Sequence, residues 1–327
     1  MQEANIEGKT KIIEAYPDDP SKVRIQTKNV LTGNDAAIKA DLPLAEDKTA
    51  QTCHVFELLK QHDIPIAYIE QDSDTSFIAH ACDMLPLECV ARRIPYGSYL
   101  KRHPAIQPPT ANAIAGIGGG GVTGKWKEPL VEFFHKFAVI VDEEKPANTE
   151  LIAESEARAR YMTADGGWDR LVYTDPLINI EEGNWKLYPA KTPFTIQFSL
   201  LSIAPLVDQQ VIQTIKYKLL LPCFEVLEKA WAKFDITLVD LKIEVGYKAI
   251  AADAEPETFK GYSVVNAAKQ ELVIADVLDN DSWRIWPQGN PEMQLDKQAF
   301  RDGAALTEVQ EKYKTVTSFT KQFVDDE

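Results

Sequence analysis

The sequence has few cysteines and few histidines, and neither residue type is clustered. Four cysteines occur, Cys53, Cys82, Cys89 and Cys223, without a C-x-x-C pair, and the five histidines are scattered singly. Structural zinc sites draw their ligands from such pairs, so the sequence indicates no zinc site. It also carries no serine–histidine or cysteine–histidine signature of covalent catalysis. Unpaired thiols favour a reducing compartment.

Long apolar runs and a surplus of positive charge are also missing. No stretch of 18 or more apolar residues occurs, and the N-terminal MQEANIEGKTK lacks the apolar core of a signal peptide. Lysine and arginine total 35 against 50 aspartates and glutamates, and the net charge of -15 argues against a protein that coats nucleic acid. We therefore expect a soluble cytoplasmic protein without a membrane or nucleic-acid partner. An anionic ligand must meet a local basic pocket.

A change of pattern predicts a domain boundary near Met84. The chain has 327 residues, 45% of them hydrophobic, which is enough for two domains or one large one. The first part alternates short β-prone runs with turn-formers, and residues 48–62 have helical spacing, which predicts a small antiparallel sheet with one helix. Later segments are longer and include a helical pair that Pro222 kinks or divides. The predicted domains are 1–84 and 85–327.

Residues 119–125 match most of the phosphate-binding P-loop motif, with the pattern G-x-x-x-x-G-K. The next residue is Trp126, where a P-loop needs serine or threonine, and Pro129 follows soon after. The surrounding stretch, 111–128, is rich in alanine and glycine and includes four consecutive glycines at 118–121. We favour a mobile loop over a nucleotide site here.

The motif Gly8-Lys9-Thr10-Lys11 is a second candidate for phosphate binding. Ile6 precedes it and isoleucines follow it, which predicts a strand with both lysines on one face. Two ammonium groups there could straddle a polyphosphate, and Gly8 would allow close backbone approach. A solvated edge strand is the alternative, and for this motif alone it is the favoured one.

A basic cluster lies in LECVARRIPYGSYLKR, residues 87–102. It contains four cations and a hydroxyl, namely Arg92, Arg93, Ser98, Lys101 and Arg102. Guanidinium groups bind phosphate in bidentate fashion, so this cluster suits a phosphate monoester. Salt bridges to the acidic surplus explain it equally well.

Two later segments contain ionic residues in patterns typical of strands. In one, ionic and apolar residues alternate, and in the other, ionic residues follow an apolar run. In TLVDLKIEVG, residues 237–246, the ionic positions alternate with apolar ones, which predicts a strand with one ionic face; they are Asp240, Lys242 and Glu244. In ELVIADVLDNDSWRIWP, residues 271–287, a buried-strand pattern ends in Asp276, Asp279, Asp281 and Arg284. Carboxylates at strand ends are the oxygen ligands that Mg²⁺ prefers when it is shared with nucleotide phosphates. A structural ion-pair network is the alternative.

Taken in order, these motifs resemble the SAICAR synthetase (phosphoribosylaminoimidazole-succinocarboxamide synthase) family over nearly the whole chain. The resemblance rests on GKTK, ECVARRIPYGSYLKR, VDLKIEVG, IADVLDNDSWRIWP and LDKQAFRD. It implies a two-lobed α+β fold related to ATP-grasp and kinase folds. A small antiparallel N-terminal lobe, 1–84, would bind ATP, and a larger α/β lobe, 85–327, would bind substrate and metal.

The same resemblance implies an ATP-dependent carbon–nitrogen ligase of purine biosynthesis. Such an enzyme joins carboxyaminoimidazole ribonucleotide (CAIR) to L-aspartate through an acyl phosphate and releases SAICAR, ADP and phosphate. ATP is the co-substrate and Mg²⁺ the metal. An ATP-dependent small-molecule kinase and a non-catalytic nucleotide-binding protein are the alternatives. The sequence leaves the oligomeric state open, a homo-oligomer included.

The resemblance also implies residue roles. The ATP-binding residues would be Gly8, Lys9, Lys11, Cys82, Met84, Leu87, Glu244 and Asp276. The CAIR-binding residues would be Arg92, Ser98, Asp240, Lys242, Asp281 and Arg284. Glu244 and Asp276 would hold Mg²⁺, and Lys9, Lys11 and Lys136 would be catalytic.

The chain departs from the family pattern at two places. The family has an acidic residue after the lysine that Lys136 matches, whereas Phe137 follows here and an Asp-Pro pair reappears only at Asp175. We therefore interpret 137–172 as an insertion. Leu31 stands where a hydroxyl-bearing residue is usual, so no polar contact is assigned to it.

Overall fold

Two compact units make up the chain. The computed structural model describes residues 5–33, 38–108, 124–195, 199–250, 258–259 and 262–324. One unit comprises Met1–Leu85 with Gln213–Glu327, and the other comprises Pro86–Ile212. The change of unit at Leu85 lies beside the predicted boundary, but the chain after Gln213 groups with the N-terminal segment. The functional division into an ATP lobe and a substrate lobe stays a prediction.

The N-terminal part of the first unit is an antiparallel sheet with one helix, as the sequence predicts. Its elements are β1 (Ile6–Glu7), β2 (Lys11–Ala15), β3 (Lys22–Thr27), β4 (Val30–Gly33), β5 (Ile38–Asp41), α1 (Ala45–Gln61), β6 (Tyr68–Ser73) and β7 (Ser76–His80). Five strands pair in the order β1-β2-β3-β7-β6, and β4 pairs with β5. Helix α1 buries an apolar face that includes Val55, Leu58 and Leu59, because these positions recur at helical spacing.

One local prediction for this sheet is wrong. Lys9 and Lys11 were expected on one strand, but β2 begins only at Lys11. The backbone N–H of Gly8 donates to the carbonyl of Lys11 at 2.9 Å. This bond closes a turn between β1 and β2, so Lys9 lies in the turn, where it is exposed.

The second unit is built mainly from strands. Its elements are β8 (Cys82–Arg92, which begins in the first unit), α2 (Ser98–Arg102), β9 (Leu130–His135), β10 (Phe137–Val141), β11 (Glu150–Ala153), α3 (Glu154–Tyr161), β12 (Leu171–Thr174), β13 (Leu177–Glu181), β14 (Asn184–Tyr188) and β15 (Leu201–Ile203). Five of the strands pair in the order β15-β14-β13-β9-β8, and β11-β10-β12 form a separate sheet. That small sheet packs against α3 through Ala138, Ile140 and Ala157.

The C-terminal part of the first unit combines helices with one long strand. Its elements are α4 (Gln209–Thr214), a π-helix (Ile215–Leu220), α5 (Leu221–Ala232), β16 (Ile236–Ala249), β17 (Thr258–Phe259), β18 (Tyr262–Ser263), β19 (Gln270–Ala275), β20 (Trp283–Pro287), α6 (Gln298–Arg301) and α7 (Leu306–Lys321). The first helix, α4, begins in the second unit, and the long strand, β16, pairs with both β19 and β20. Pro222 lies in the first turn of α5, where its missing N–H is tolerated.

None of the helices in the described ranges is long and apolar enough to cross a membrane.

Candidate active site

Two carboxylates meet on neighbouring strands of the first unit. Glu244 on β16 pairs in register with Ala275, the last residue of β19, and Asp276 follows directly. The Nζ of Lys242 lies 3.2 Å from Glu244 Oε1, and the Nζ of Lys11 donates to Asp276 Oδ1. Glu244 is buried, so its charge is only partly screened by solvent. The structure therefore brings four of the expected residues together.

Burial lowers the pKa of Lys11 to about 8, although Glu244 and Asp279 attract its positive charge. The ammonium group still holds its proton at neutral pH, and it lies against a carboxylate expected to hold metal. Such a lysine can neutralise a phosphate brought to the same place.

Asp240 and Arg284 form a second pair in this unit. They are register partners on β16 and β20, next to a β-bulge at Leu238/Asp240, and their side chains form an ion pair. Asp240 is only 5% exposed. The ionic face predicted for β16 thus holds a guanidinium in a fixed orientation.

The segment that the resemblance places beside adenine lies close to β16. A Cβ atom on Gly246 would lie 2.9 Å from Met84 Sδ and 3.1 Å from the carbonyl oxygen of Asp83. Only glycine allows this approach without displacement. Burial raises the pKa of the Cys82 thiol to about 11, so it stays protonated. Leu87, by contrast, is fully buried and belongs to the second unit.

In the second unit, one carboxylate holds two arginines. Arg92 Nε donates to Glu132 Oε2 at 2.7 Å, and Arg102 donates to the other oxygen. Arg92 also donates to Ser98 Oγ at 3.1 Å. Arg93 differs from both, since it donates to the backbone carbonyls of residues 126 and 127. The three arginines of the basic cluster therefore divide into a buried pair and one that binds backbone carbonyls.

Glu132 was not found from the sequence. Its signal was a lone carboxylate within the apolar run LVEFFH of β9, because a buried charge needs a partner. Its partners could not be identified, since Arg92 is 40 and Arg102 is 30 residues away and only the fold brings them together.

Lys136 follows directly after β9. The segment interpreted as an insertion, 137–172, begins at the next residue. The N–H of Asp175 donates to the carbonyl of Phe137 at 3.1 Å, and the N–H of His135 donates to the carbonyl of Pro176 at 3.0 Å. The small sheet β11-β10-β12 and α3 therefore form an excursion that returns to its starting point. The Asp-Pro pair lies next to the Lys136 segment in space, although not in sequence.

Asp281 is engaged by three other side chains of the first unit. It accepts hydrogen bonds from Lys48 at 2.8 Å, from Lys297 at 3.1 Å and from the hydroxyl of Tyr313. Its role as a CAIR contact stays a prediction. Lys48 was missed from the sequence, although it continues the helical spacing of Thr52, Val55 and Leu59, and a charge on a buried face calls for a partner.

Glu244 and Asp276 suit the expected Mg²⁺ because both supply hard carboxylate oxygens. Within the described ranges, no group of three or more histidine, cysteine, aspartate or glutamate side chains is placed to hold a metal. A two-carboxylate site needs further oxygens, such as those of nucleotide phosphates. The glycine run at 118–121 and most of the P-loop-like segment lie outside the described residues.

The family model for SAICAR synthetase matches residues 4–163 and 194–319. The two matched segments cover most of the chain. The unmatched stretch, 164–193, overlaps only in part with the insertion interpreted at 137–172.

Curated relatives match over nearly the whole chain. Phosphoribosylaminoimidazole-succinocarboxamide synthase of Chloroflexus aurantiacus is 31% identical over 320 residues, which cover 96% of this chain and 94% of the relative. The bifunctional phosphoribosylaminoimidazole carboxylase/succinocarboxamide synthetase of Mus musculus is 33% identical over 305 residues, which cover 92% of this chain and 53% of the relative. The chain thus spans about half the length of the mouse protein.

Solved structures share the fold. A phosphoribosylaminoimidazole-succinocarboxamide synthase from Ehrlichia chaffeensis has a TM-score of 0.60 at 18% identity, with 97% of each chain covered. A SAICAR synthetase in complex with ADP has a TM-score of 0.57 at 22% identity, with 98% of each chain covered. At such identities the likeness concerns the fold, and it confirms the predicted mixed α and β architecture.

Proposed function

Because the chain belongs to the SAICAR synthetase family, we propose that it is an ATP-dependent ligase that condenses CAIR with L-aspartate to form SAICAR, ADP and phosphate. The observation that carries the proposal is the meeting of Lys11, at the start of β2, with Lys242 and Glu244 on β16 and with Asp276 just after β19. This set can neutralise phosphate groups and hold a metal in one place. The proposal includes a cytoplasmic location and small-molecule partners alone.

The reaction needs activation of a carboxylate. An oxygen of the CAIR carboxylate attacks the γ-phosphorus of ATP, the bond to the β–γ bridging oxygen breaks, and ADP leaves. The aspartate amine then attacks the acyl carbon, loses a proton, and phosphate leaves with the former carboxylate oxygen. The protein's part is positioning and charge neutralisation, because the transferring group carries spread negative charge.

Lys9 and Lys11 would contact the phosphates of ATP. Lys11 is already held against Asp276 by an ion pair, and exposed Lys9 lies in the preceding turn. Glu244 and Asp276 would hold Mg²⁺, which when bound supplies positive charge between the carboxylate and the triphosphate. The segment from Cys82 to Leu87 would border the adenine.

Arg92, Ser98 and Arg284 would bind the anionic groups of CAIR. Each guanidinium is already oriented by a carboxylate, Arg92 by Glu132 and Arg284 by Asp240. A guanidinium fixed in this way loses little side-chain entropy when the ligand binds. Lys242 would be a further CAIR contact, and Lys136 would be a catalytic lysine.

No residue of the chain needs to act as a covalent nucleophile. Burial raises the pKa of the Cys53 thiol to about 12 and that of Cys82 to about 11, so neither is a thiolate at neutral pH.

Product analysis tests the proposal. The protein is incubated with ATP, Mg²⁺, CAIR and aspartate, and amide and ADP are measured with each substrate omitted in turn. The proposal requires that SAICAR is formed and that ADP release depends on aspartate. Steady ADP release without aspartate would favour the kinase alternative, and nucleotide binding without turnover would favour a non-catalytic protein.

A further inference from the structure

Residues 276–284 comprise the turn between β19 and β20 with the first two residues of β20, and we call this segment the 276–284 turn. It is held by buried polar side chains from distant parts of the first unit. Asp281 accepts hydrogen bonds from Lys48, Lys297 and Tyr313. The Nζ of Lys48 also lies 3.9 Å from Asp279 Oδ2. The side chain of Lys48 is 3% exposed, so these contacts are largely shielded from solvent.

A second contact from helix α1 reaches the backbone of the turn. The N–H of Asn280 donates to Gln51 Oε1 at 2.9 Å, and Gln51 Nε2 donates to the carbonyl of Tyr313 at 3.0 Å. Gln51 and Asn280 are both fully buried. We call Lys48, Gln51, Lys297 and Tyr313 the turn clamp.

Stability alone does not explain the turn clamp. A buried ion pair is often no more stabilising than apolar side chains of similar volume, because desolvation offsets the attraction. Burial favours the neutral form of Asp281, yet Lys48 and Lys297 keep its pKa below the usual range. What the charged network provides is a fixed geometry, since each oxygen of Asp281 is held by a defined donor.

The geometry matters because the turn begins and ends in proposed site residues. Asp276, at its start, has a φ of 68°, a left-handed conformation that costs energy in any residue other than glycine, although aspartate tolerates it better than most. Arg284, at its end, pairs with Asp240. Within the turn, the N–H groups of Asp281 and Ser282 donate to Asp279, so displacement of Asp279 or Asp281 would be transmitted to both ends.

We propose that Lys48, Gln51, Lys297 and Tyr313 are positioning residues for the ligase reaction, which act through the 276–284 turn on Asp276 and Arg284. The proposal rests on the proposed function. It gives Asp281 a role in orienting the turn in place of direct contact with CAIR.

Two variants and a control test the turn clamp. Lys48→Met removes one charge of the network, and Tyr313→Phe removes only a hydroxyl. The control is Lys60→Met on the same helix, because Lys60 is 58% exposed and lies 3.8 Å from Glu57. We expect Lys48→Met to lower kcat and raise the Mg²⁺ concentration for half-maximal rate by about ten- to a hundredfold. Tyr313→Phe should shift both severalfold, and Lys60→Met neither.

A binding measurement separates positioning from general loss of activity. Mn²⁺ affinity is measured by electron paramagnetic resonance with ADP present, and circular dichroism checks that each variant is folded. Mn²⁺ affinity should fall in Lys48→Met and Tyr313→Phe but not in Lys60→Met. If Lys48→Met does not fold, the kcat and the Mn²⁺ affinity of Tyr313→Phe decide whether the turn clamp acts as proposed. In a double-mutant cycle, Asp281→Asn should add little to Lys48→Met, because both disturb the same network.

The outcomes distinguish the two proposals. Wild-type protein that forms no amide would overturn the proposed function. Wild-type protein that forms SAICAR, together with folded Tyr313→Phe and Lys48→Met variants of unchanged kcat and Mn²⁺ affinity, would overturn only the turn clamp. Additive effects in the cycle, with Asp281→Asn raising only the KM for CAIR, would also overturn it and return Asp281 to substrate contact.

Discussion

Arg92 and Arg284 lie in different units, yet each is a guanidinium held by a buried carboxylate. Arg92→Ala and Arg284→Ala should each raise the KM for CAIR about ten- to a hundredfold, because a charge-assisted contact contributes roughly 1.5–3 kcal/mol. The KM for ATP should stay near the wild-type value. Steady-state kinetics with each substrate varied checks this, with Arg24→Ala as control, since Arg24 pairs with Asp72 near the surface. Loss of ATP affinity with normal CAIR use would contradict the assignment.

Glu244 and Asp276 are expected to act through their charge. Glu244→Gln and Asp276→Asn should fold but lose most turnover, because each keeps its shape while removing a negative charge from the proposed metal site. Rates measured over a range of Mg²⁺ concentrations should recover in part at high Mg²⁺. Wild-type rates in both variants would show that the two carboxylates are structural.

At the residue scale, the sequence identified groups whose chemistry shows in a local motif. Asp240, Lys242 and Glu244 alternate along one strand, and the structure places them as that pattern predicts. Glu132 and Lys48 were missed because their partners are distant in sequence. Lys48 bonds to a residue 233 positions away, a pairing that only the fold creates.

Among the elements, strand β20 depends on a buried carboxylate in the segment that follows it. Asp296 accepts from the N–H of Ile285 at 3.1 Å and from the N–H of Gln298 at 2.8 Å. Burial raises its pKa to about 6, against the attraction of Arg284. The carboxyl group therefore titrates at a higher pH in the folded chain than in the unfolded one.

This shift predicts a pH-dependent stability. Because the pKa of Asp296 is raised in the folded state, the contribution of its protonated form to the free energy of unfolding is fully present below the unfolded-state pKa near 3.8. This contribution is lost as pH rises through the folded-state pKa of about 6. Relative to Asp296→Asn, which resembles the protonated form, the wild type should lose on the order of 3 kcal/mol of unfolding free energy between pH 4 and 7. Urea denaturation of both proteins at several pH values measures this. A constant difference between them would contradict it.

Element types followed from periodicity, whereas element ends did not. Helix α1 was predicted at 48–62 and lies at Ala45–Gln61, because the apolar spacing marks the buried face and not the first turn. Lys9 was placed on a strand because alternation in GKTK cannot reveal the bond that closes the turn at Gly8. From the sequence, no polar contact is assigned to Leu31, and in the structure Leu31 lies in a buried apolar cluster with Leu42 and Leu44.

At the scale of the whole molecule, the chain returns to its first unit after the second is complete. The N–H of Ala67 donates to the carbonyl of Ile274 at 2.8 Å, and the N–H of Ile274 donates to the carbonyl of Pro65 at 2.9 Å. Helix α1 also packs against α7. Such contacts join segments about 200 residues apart, so local composition cannot reveal that the chain resumes a unit it has left.

The reaction proposed for the whole molecule makes one prediction about the fate of an oxygen atom. An amine does not displace oxide from an ionised carboxylate, so activation must come first. If the γ-phosphoryl group is transferred to the CAIR carboxylate, one carboxylate oxygen bridges to phosphorus and leaves with it. CAIR labelled with ¹⁸O in that carboxylate should therefore yield inorganic phosphate with one labelled atom per turnover, and ADP as the nucleotide product.

Mass spectrometry of the phosphate and chromatography of the nucleotides measure both products. Lys11→Met, which removes a cation held against Asp276, should slow label transfer and amide formation together, because both depend on the same phosphoryl transfer. Lys60→Met is the matched control, since that lysine is exposed. Unlabelled phosphate, or AMP with pyrophosphate, would exclude the acyl phosphate, and the phosphate-binding roles given to Lys9 and Lys11 would lose their basis.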